Sequence, residues 1–555
     1  MADITAEQAP SAPAKTTAMA TVVIASSAGT AFEWYDFFIF GSLTGVISKV
    51  FFSGLNDTAG LLAALALFGV GFAFRPIGAL VFGRIGDRLG RKGAFLITVA
   101  IMGGATFAIG VLPTYSQAGV IAPIALIIMR ILQGFAVGGE YSGAAIYVAE
   151  HSKVNERGWM TSWVQTSAGF GLFGALAVIW ATRRLVGEDA FNAWGWRVPF
   201  LVSIGLLAIS VWMRLKLSES PAFVQIKAEG LATRTPYREA FGRWPNLKLV
   251  LLAFLGIMSA QGAVWYCTFF YSQTFMEKFL KVEPATINFL MMAAVAASAV
   301  LYVFFGWLSD FVGRKWVMFA GMALALVSFF PAFHALERAA NPALAAASER
   351  TPVVVIADPA DCALQFDPVG KAAFLSACDI AKSFLSNAGV SYANQAAPAG
   401  AVAVVKVGGI TVTSKSAVGH SKTEAKAVRA SVESQLKAAL KAAGYPAKAD
   451  PAHVDIRAMF GILMIFVIAA TALFGPLAAC LVELFPTRVR YTALALPYNV
   501  GTGWVGGFLP FTAFAIVTAT GNIYSGLWYP VVFTAISVVV MLLFLPETRG
   551  RPLHA

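Results

Sequence analysis

Five ionisable side chains, Glu33, Asp36, Arg75, Arg130 and Glu140, lie inside apolar stretches of the first half of the chain. A charge in such surroundings is costly and marks a functional site by default. Glu33 and Asp36, within GTAFEWYDFFIFG (29–41), share one face of a helix. Arg130, Gln133, Val137 and Glu140 follow a 3, 4, 3 spacing, one stripe of another helix. A carboxylate beside a partly dry cavity holds its proton tightly, and a nearby arginine opposes this, so the two together make a proton switch. Asp36 is the expected proton carrier, with Glu33 and Glu140 as alternates. Arg130 is expected to hold a substrate carboxylate, because its planar fork matches that anion, with Arg75 as a second cation. Three acids against two arginines reach neutrality when one acid is protonated. The competing reading is a set of static ion pairs that lock helices together.

The second half has almost no ionisable residues away from its helix ends. Its polar candidates are Gln261, Gln273, Asn288 and Asn499, since buried amides usually have partners. Trp34, Tyr35, Trp265, Tyr266, Tyr498 and Trp504 are candidates to line a cavity, the alternative being a lipid-facing or interfacial position. GFGLFG (169–174) matches G-x-G-x-x-G, but no strand precedes it and it lies within an apolar run. It reads as a helix-packing surface, like Gly134-x-x-x-Gly138. There is no P-loop and no G-x-S-x-G, and the five histidines are scattered without ligand spacing. Neither an enzyme, a metal site nor a bound cofactor is expected; the driving force would be a proton gradient.

The elements that position these residues are apolar helices. Of 555 residues 58% are hydrophobic and 13% charged, about half the charge of a soluble chain. Apolar segments fall near 20–48, 60–82, 94–112, 119–149, 159–182, 197–217, 246–276, 285–308, 316–336, 456–482, 491–519 and 524–545. Each is near the ~20 residues that cross a bilayer. The net charge of +12 sits in short segments between apolar runs, which is the positive-inside pattern and argues against nucleic acid. Arg84, Arg88, Arg91 and Lys92 follow the second segment. Arg214, Lys216, Lys227, Arg234, Arg238, Arg243 and Lys248 follow the sixth, and the link after the third has no Lys or Arg. Both termini are therefore expected to face the cytoplasm. The polar start (1–19) has no cleavage-site geometry, so the first apolar run reads as an uncleaved anchor.

Internal repeats set the architecture. GRIGDRLGRK (83–92) aligns with GWLSDFVGRK (306–315), Glu150 and Arg157 with Glu483 and Arg490, and Leu217-Ser-Glu219-Ser with Leu545-Pro-Glu547-Thr. The offset between equivalents grows by about 110 residues after 315, so two equivalent halves are interrupted once. The expected order is a tail (1–19), a six-helix half (20–217), a cytoplasmic linker (218–245) and spans seven to nine (246–336). A periplasmic α/β insertion (337–455), spans ten to twelve (456–548) and a short tail (549–555) follow. The repeated loops read as a gate. Asp87 would sit on a neighbouring helix N-terminus, with Arg91 and Lys92 reaching Glu150 or phospholipid. Asp310, Arg314, Lys315 and Glu483 are the counterparts. In the insertion, 352–356 reads as a strand and 402–413 as a hairpin around Gly408-Gly409. Ser421 to Glu424 is a capping box that opens a helix with a stripe of Val428, Val432, Leu436 and Leu440, stopped by Gly444 and Pro446. An oxidising compartment favours a Cys362–Cys378 disulfide over two free thiols.

These motifs carry a family resemblance. The twelve segments, the duplicated loop and RILQG (130–134) resemble the major facilitator superfamily. More narrowly, GTAFEWYDFFIFG, FRPIG (74–78), RILQGFAVGGEY (130–141), SESPAF (218–223) and LPET (545–548) resemble the metabolite:proton symporter family. That family includes permeases for α-ketoglutarate, citrate, shikimate, aromatic acids, and proline or betaine. The resemblance implies an all-α membrane fold in two pseudo-symmetric six-helix halves and proton-driven uptake by alternating access. It maps Glu33 and Asp36 to the first-helix acidic pair, Arg75 to the second helix, Arg130 and Glu140 to the fourth, and Asp87 and Asp310 to the gate. Gln133, Gln261, Asn499, Tyr35, Trp265 and Tyr266 complete the expected binding set. The fifth segment (165–177) lacks the Gly-Pro element of drug/proton antiporters, which favours uptake. The chain ends at LPETRGRPLHA without a heptad extension, which lowers the osmosensing betaine reading. The expectation is a monomeric, proton-coupled importer of a small carboxylate in a bacterial inner membrane. The alternatives are a zwitterionic osmolyte carrier, or a non-transporting sensor whose outer domain binds a ligand or periplasmic partner.

Overall fold

The computed structural model describes residues 19–53, 57–216, 218–363 and 374–553. The tail before Met19 and Leu217 lie outside these residues. Among the described residues ten helices are long and apolar enough to cross a bilayer. In chain order these are helix 3 (Arg91–Val111), helix 4 (Ile121–His151), helix 5 (Val154–Val186), helix 6 (Arg197–Leu215), helix 7 (Trp244–Phe279), helix 8 (Pro284–Val312), helix 9 (Arg314–Ala340), helix 10 (Ile456–Leu484), helix 11 (Arg490–Thr520) and helix 12 (Ser525–Phe544). Two more long helices precede them: helix 1, Met19–Ser42 continued by Thr44–Phe51, and helix 2, Asp57–Leu89. Twelve membrane spans were expected from sequence, and helix 1 carries two carboxylates, Glu33 and Asp36, within its apolar run.

Packing follows the repeat. Helix 1 lies along helix 5 and helix 2 along helix 4, as helix 7 lies along helix 11 and helix 8 along helix 10. The seam between halves is made by helix 2 on helix 11 and by its counterpart, helix 8 on helix 5. Small residues allow the closest approaches: a Cβ at Gly134 would strike the backbone of Gly71, and one at Gly138 the backbone of helix 2 at Arg75. Gly171, from the G-x-G-x-x-G segment, lies against helix 1 at Ala31 and Trp34, so that segment is a packing surface.

Between helices 9 and 10 the chain forms a small α/β domain. Strands β1 (Val353–Ala357), β2 (Tyr392–Ala396), β3 (Val404–Val407) and β4 (Ile410–Thr413) form one sheet in the order β2-β1-β3-β4. β1 and β2 are parallel and joined through a helix at Ala377–Asn387; the other pairs are antiparallel. The capping box at Ser421 is formed, and its helix, Lys422–Ala442, buries Val432, Leu436 and Leu440. Cys362 and Cys378 are joined by a disulfide, with Cα atoms 5.2 Å apart. The sequence reading missed β2, an edge strand of which only Tyr392 is buried and which therefore shows no apolar alternation.

The domain is fastened to the second half. The Tyr392 N–H donates to Gly521 O at 2.7 Å and its hydroxyl to Thr518 O at 2.5 Å. Asn394 Nδ2 donates to Thr520 O at 2.8 Å, so the carbonyls left over at the end of helix 11 are satisfied from the insertion. The Ala449 N–H donates to Lys281 O at 3.1 Å, and Asn341 Nδ2 to Leu280 O at 3.0 Å. Among the described residues, every hydrogen bond from the insertion to the bundle reaches helices 7 to 12 or their connections.

Candidate functional site

Helices 1, 2 and 4 face helices 7, 10 and 11 across a central cavity. Helical spacing brings Thr30, Glu33, Trp34 and Phe37 to one wall, and Arg130, Gln133, Val137 and Tyr141 to another. The charged lining, Glu33, Asp36, Arg75 and Arg130, comes from the first half. The second half contributes Gln261, Trp265, Tyr266, Phe474, Tyr498 and Thr502. Rings meet across the seam: Trp34 and Trp265 at 5.8 Å, Phe72 and Tyr266 at 5.9 Å, and Tyr141 stacked on Tyr498 at 4.0 Å. Helix 7 widens into π turns at Phe254–Met258 and Cys267–Tyr271, bracketing Gln261, Trp265 and Tyr266. Such turns commonly mark functional sites.

A buried chain of hydrogen bonds runs from Arg130 to Asp36. Arg130 Nη1 donates to Gln133 Oε1 at 2.8 Å, Gln133 Nε2 to Thr106 Oγ1 at 2.6 Å, and Thr106 Oγ1 to Asp36 Oδ2 at 2.8 Å. Thr106 Oγ1 also lies 3.0 Å from Met102 O, so one hydroxyl proton has two acceptors. Arg130 stacks over Phe40 at 3.9 Å. Arg75 differs: it lies over Phe72 at 4.4 Å, and its Nε has no hydrogen-bond partner. Glu33 Oε2 and Gln261 Oε1, also in the cavity wall, are buried without partners.

The end of the bundle that carries the repeated loops is closed by two matching locks. Asp87 accepts the N–H groups of Tyr491 at 3.1 Å and Thr492 at 2.8 Å, at the start of helix 11. Asp310 accepts those of Gly158 at 3.0 Å and Trp159 at 2.8 Å, in the first turns of helix 5. Each aspartate sits on a helix N-terminus of the opposite half, where orphan amides and the helix dipole favour an anion. Arg91 holds Asp87 at 2.6 Å and Arg314 holds Asp310 at 2.7 Å. Glu150 pairs across the seam with Arg490 at 2.6 Å, and Glu483 with Arg157 at 3.5 Å and, within its own half, Arg314 at 3.3 Å. Carbonyls of the last residues enter the same seam: Arg551 O accepts from Arg157 at 2.7 Å and Leu553 O from Arg490 at 3.2 Å. Gly90 and Gly313 have φ of 119° and 109°, conformations glycine adopts without penalty. They bring Glu219 and Glu547 onto the first amides of helices 3 and 9.

Residues 21–238 and 439–555 match the model of the "Sugar (and other) transporter" family. The chain belongs to this family. The family match leaves out helices 7 to 9 and most of the insertion. The proline/betaine transporter of Salmonella typhimurium is 36% identical over 56% of this chain and 63% of its own length, so the chain spans less than two thirds of that relative. The shikimate transporter of Escherichia coli is 36% identical over 57% of this chain and 72% of its own length. The major facilitator proton:xylose symporter XylE, solved with 6-bromo-6-deoxy-D-glucose, superposes with a TM-score of 0.61 over 97% of this chain and 98% of its own, at 16% identity. The major facilitator fold is thereby established, and family and fold relatives are transporters rather than enzymes.

Several sequence expectations need correction in this family member. Glu140 does not line the cavity. It is ion-paired with Arg214 and accepts from Thr98 at 2.6 Å, the contacts that the competing reading of ion pairs between helices describes. Arg214, read as loop charge, is buried in the last turn of helix 6 and donates to Phe95 O at 2.9 Å. Three acids thus face three arginines, and the set is neutral when all are ionised. Tyr35 points away from the cavity and donates to Pro199 O at 3.0 Å. Asn499 bridges the seam, donating to Gly138 O at 2.8 Å, outside the cavity lining. Among the described residues, Lys92 and Lys315 make no hydrogen bond or ion pair across the seam: they donate to Leu215 O and Leu545 O, capping the carbonyl ends of helices 6 and 12 within their own halves. Trp504 is half exposed on the outer face, and Asn288 is exposed. Thr106, Tyr141, Phe474 and Thr502 were missed, since neutral residues in apolar runs give no sequence signal. Thr106→Val leaves two buried polar groups short of a partner and is expected to cost about 1–3 kcal/mol, with Thr106→Ser near neutral. Thermal unfolding of the detergent-solubilised variants measures this.

Proposed function

We propose that this chain is a proton-coupled importer of a small carboxylate-bearing metabolite, working by alternating access in a bacterial inner membrane. The locked end would face the cytoplasm and the insertion the periplasm. The observation that carries the substrate reading is Arg75. Its guanidinium lies in the cavity wall over Phe72, its Nε has no hydrogen-bond partner, and no salt bridge among the described residues involves it; a half-buried fork placed this way fits an incoming carboxylate. Arg130, the sequence favourite, is engaged by Gln133 and Phe40 and becomes the coupling arm. Asp36 carries the proton at the far end of the Thr106–Gln133–Arg130 chain. Exchange of the proton on Asp36 would change what Thr106 donates to, and through Gln133 the hold on Arg130.

A second reading rests on Glu33. Its free carboxylate oxygen faces the same cavity as Trp34, Trp265, Tyr266 and Tyr498. Carboxylate plus aromatic faces suits an ammonium group, so a zwitterion would place its two ends on Glu33 and Arg75. The names of the relatives, one for proline/betaine and one for shikimate, support both readings.

Proteoliposomes loaded with a pH dye test the proposal. Carboxylates, amino acids and betaines are screened for substrate-induced proton entry in the parent and in Asp36→Asn. Entry with one acid that is lost in Asp36→Asn is the expected result. Entry surviving in the variant moves the proton site to Glu33. Silence across the panel with folded protein overturns the carrier reading in favour of a sensor. With the substrate known, Arg75→Gln should raise half-saturation by about ten- to a hundredfold, the worth of charge-assisted hydrogen bonds.

A further inference from the structure

Behind helix 1 lies a second, smaller cavity among helices 1, 3 and 6, bordered by Gly29, Gly103, Ser203 and Ser210. Glu33 and Asp36 border this cavity as well as the central one. The two carboxylates therefore form the wall between two spaces, the larger central one and a smaller one behind helix 1. Glycine makes the inner space: a Cβ at Gly103 would press on Leu207 and one at Gly29 on the Arg214 guanidinium. Ser210 is 1% exposed, and its Oγ has no hydrogen-bond partner. Glu33 Oε2 is the second such atom on the same cavity. A buried hydroxyl and a buried carboxylate oxygen of this kind are the partners an internal water requires, and the space has room for one.

We propose that the pocket between helices 1, 3 and 6 is a proton-relay site, which seats water between Ser210 and Glu33 and delivers protons to Asp36 from the side away from the substrate. The inference rests on the proton-coupled reading above. In the transfer, the O–H bond that forms on Asp36 breaks on the water, and the water regains its proton from protonated Glu33. The charged groups that face this pair are Arg75 from helix 2, Arg130 and Glu140 from helix 4, and Arg214 from helix 6. Helix 3 offers Thr106, and the second half offers Gln261 and Tyr498. The arrangement gives the proton and the substrate different doors to one residue, so an occupied central cavity does not seal off Asp36.

The test compares two assays in proteoliposomes: counterflow exchange of labelled substrate, which needs no net proton movement, and uphill uptake driven by an imposed pH gradient. Ser210→Leu fills the pocket. It should keep counterflow within about twofold while gradient-driven uptake falls roughly tenfold or more. Ser210→Ala removes the hydroxyl without filling the space, and should slow gradient-driven uptake selectively by about threefold, which covers the case in which the leucine variant does not fold. Gradient-driven uptake equal to the parent in Ser210→Ala, or an equal loss in both assays for folded Ser210→Leu, overturns the relay and leaves proton coupling intact. A parent protein that catalyses counterflow but no gradient-driven uptake overturns both readings.

Discussion

In Asp310→Ala, the locked end of the bundle is expected to open, and the ratio of closed to open molecules to fall by about two to three orders of magnitude. The variant removes the acceptor for Gly158 and Trp159 and one partner of buried Arg314. Two charge-assisted hydrogen bonds across the seam are lost, each worth about 1.5–3 kcal/mol, and each 1.4 kcal/mol is roughly a factor of ten in a ratio of states. The bonds to Gly158 and Trp159 cross the seam and stabilise the closed state alone, whereas the Arg314 pair lies within the second half and is made in both states. Asp87→Ala should act alike, since Asp87 makes the mirrored contacts on Tyr491 and Thr492. The chain supplies its own reporter. Cys480 is a buried free thiol in Leu477–Leu484, which packs across the seam on helices 4 and 5. In a Cys267→Ala background, maleimide labelling of Cys480 should speed up in both variants. Unchanged labelling in a folded variant sinks the lock interpretation.

Arg214→Leu should be among the most destabilising single changes in the protein, at about 3–5 kcal/mol, because it strands the Glu140 carboxylate with only Thr98 as a close partner. Replacing both members, Arg214→Leu with Glu140→Leu, should recover most of that loss. A buried ion pair is worth little more than well-packed apolar side chains of similar volume. Thermal unfolding of the two single variants and the double variant, read as a double-mutant cycle, measures the coupling. A further variant, Glu140→Gln, decides the standing of Glu140. If Glu140→Gln folds normally yet loses proton-coupled uptake, the static reading is wrong and the residue belongs with Asp36.

The features legible in the sequence were those in which chemistry departs from local surroundings. Asp36, Arg75 and Arg130 stood out as charges in apolar runs, and all three line the cavity. Asp87 and Asp310 stood out because their spacing recurs, and recurrence also exposed the insertion. Arg214 escaped because it sits among the basic residues that follow helix 6. Only burial separates it from Lys216, and burial depends on how helices 1, 3 and 6 pack. With it went the correct partner for Glu140 and the charge balance of the first half. Thr106 escaped for the opposite reason: a hydroxyl in an apolar helix usually bonds its own backbone, and only the approach of helices 1 and 4 gives it Asp36 and Gln133. The aromatic residues divided by orientation, which sequence spacing on irregular helices 7 and 11 does not determine. Trp265 and Tyr266 face the cavity, and Trp504 faces outward.

The insertion is joined by hydrogen bonds to the ends of helices 7, 9 and 11, and its far edge, strand β4, presents Ile410, Thr411 and Thr413 to solvent. A domain held this way is a pointer mounted on the second half, and under the proposed alternating access it would move with that half. An antibody fragment bound at β4 would ride with the second half and add a rigid landmark to images of particles otherwise hidden in detergent. A dye pair split between β4 and the start of the first half would turn the proposed movement of the halves into a change in distance, read one molecule at a time.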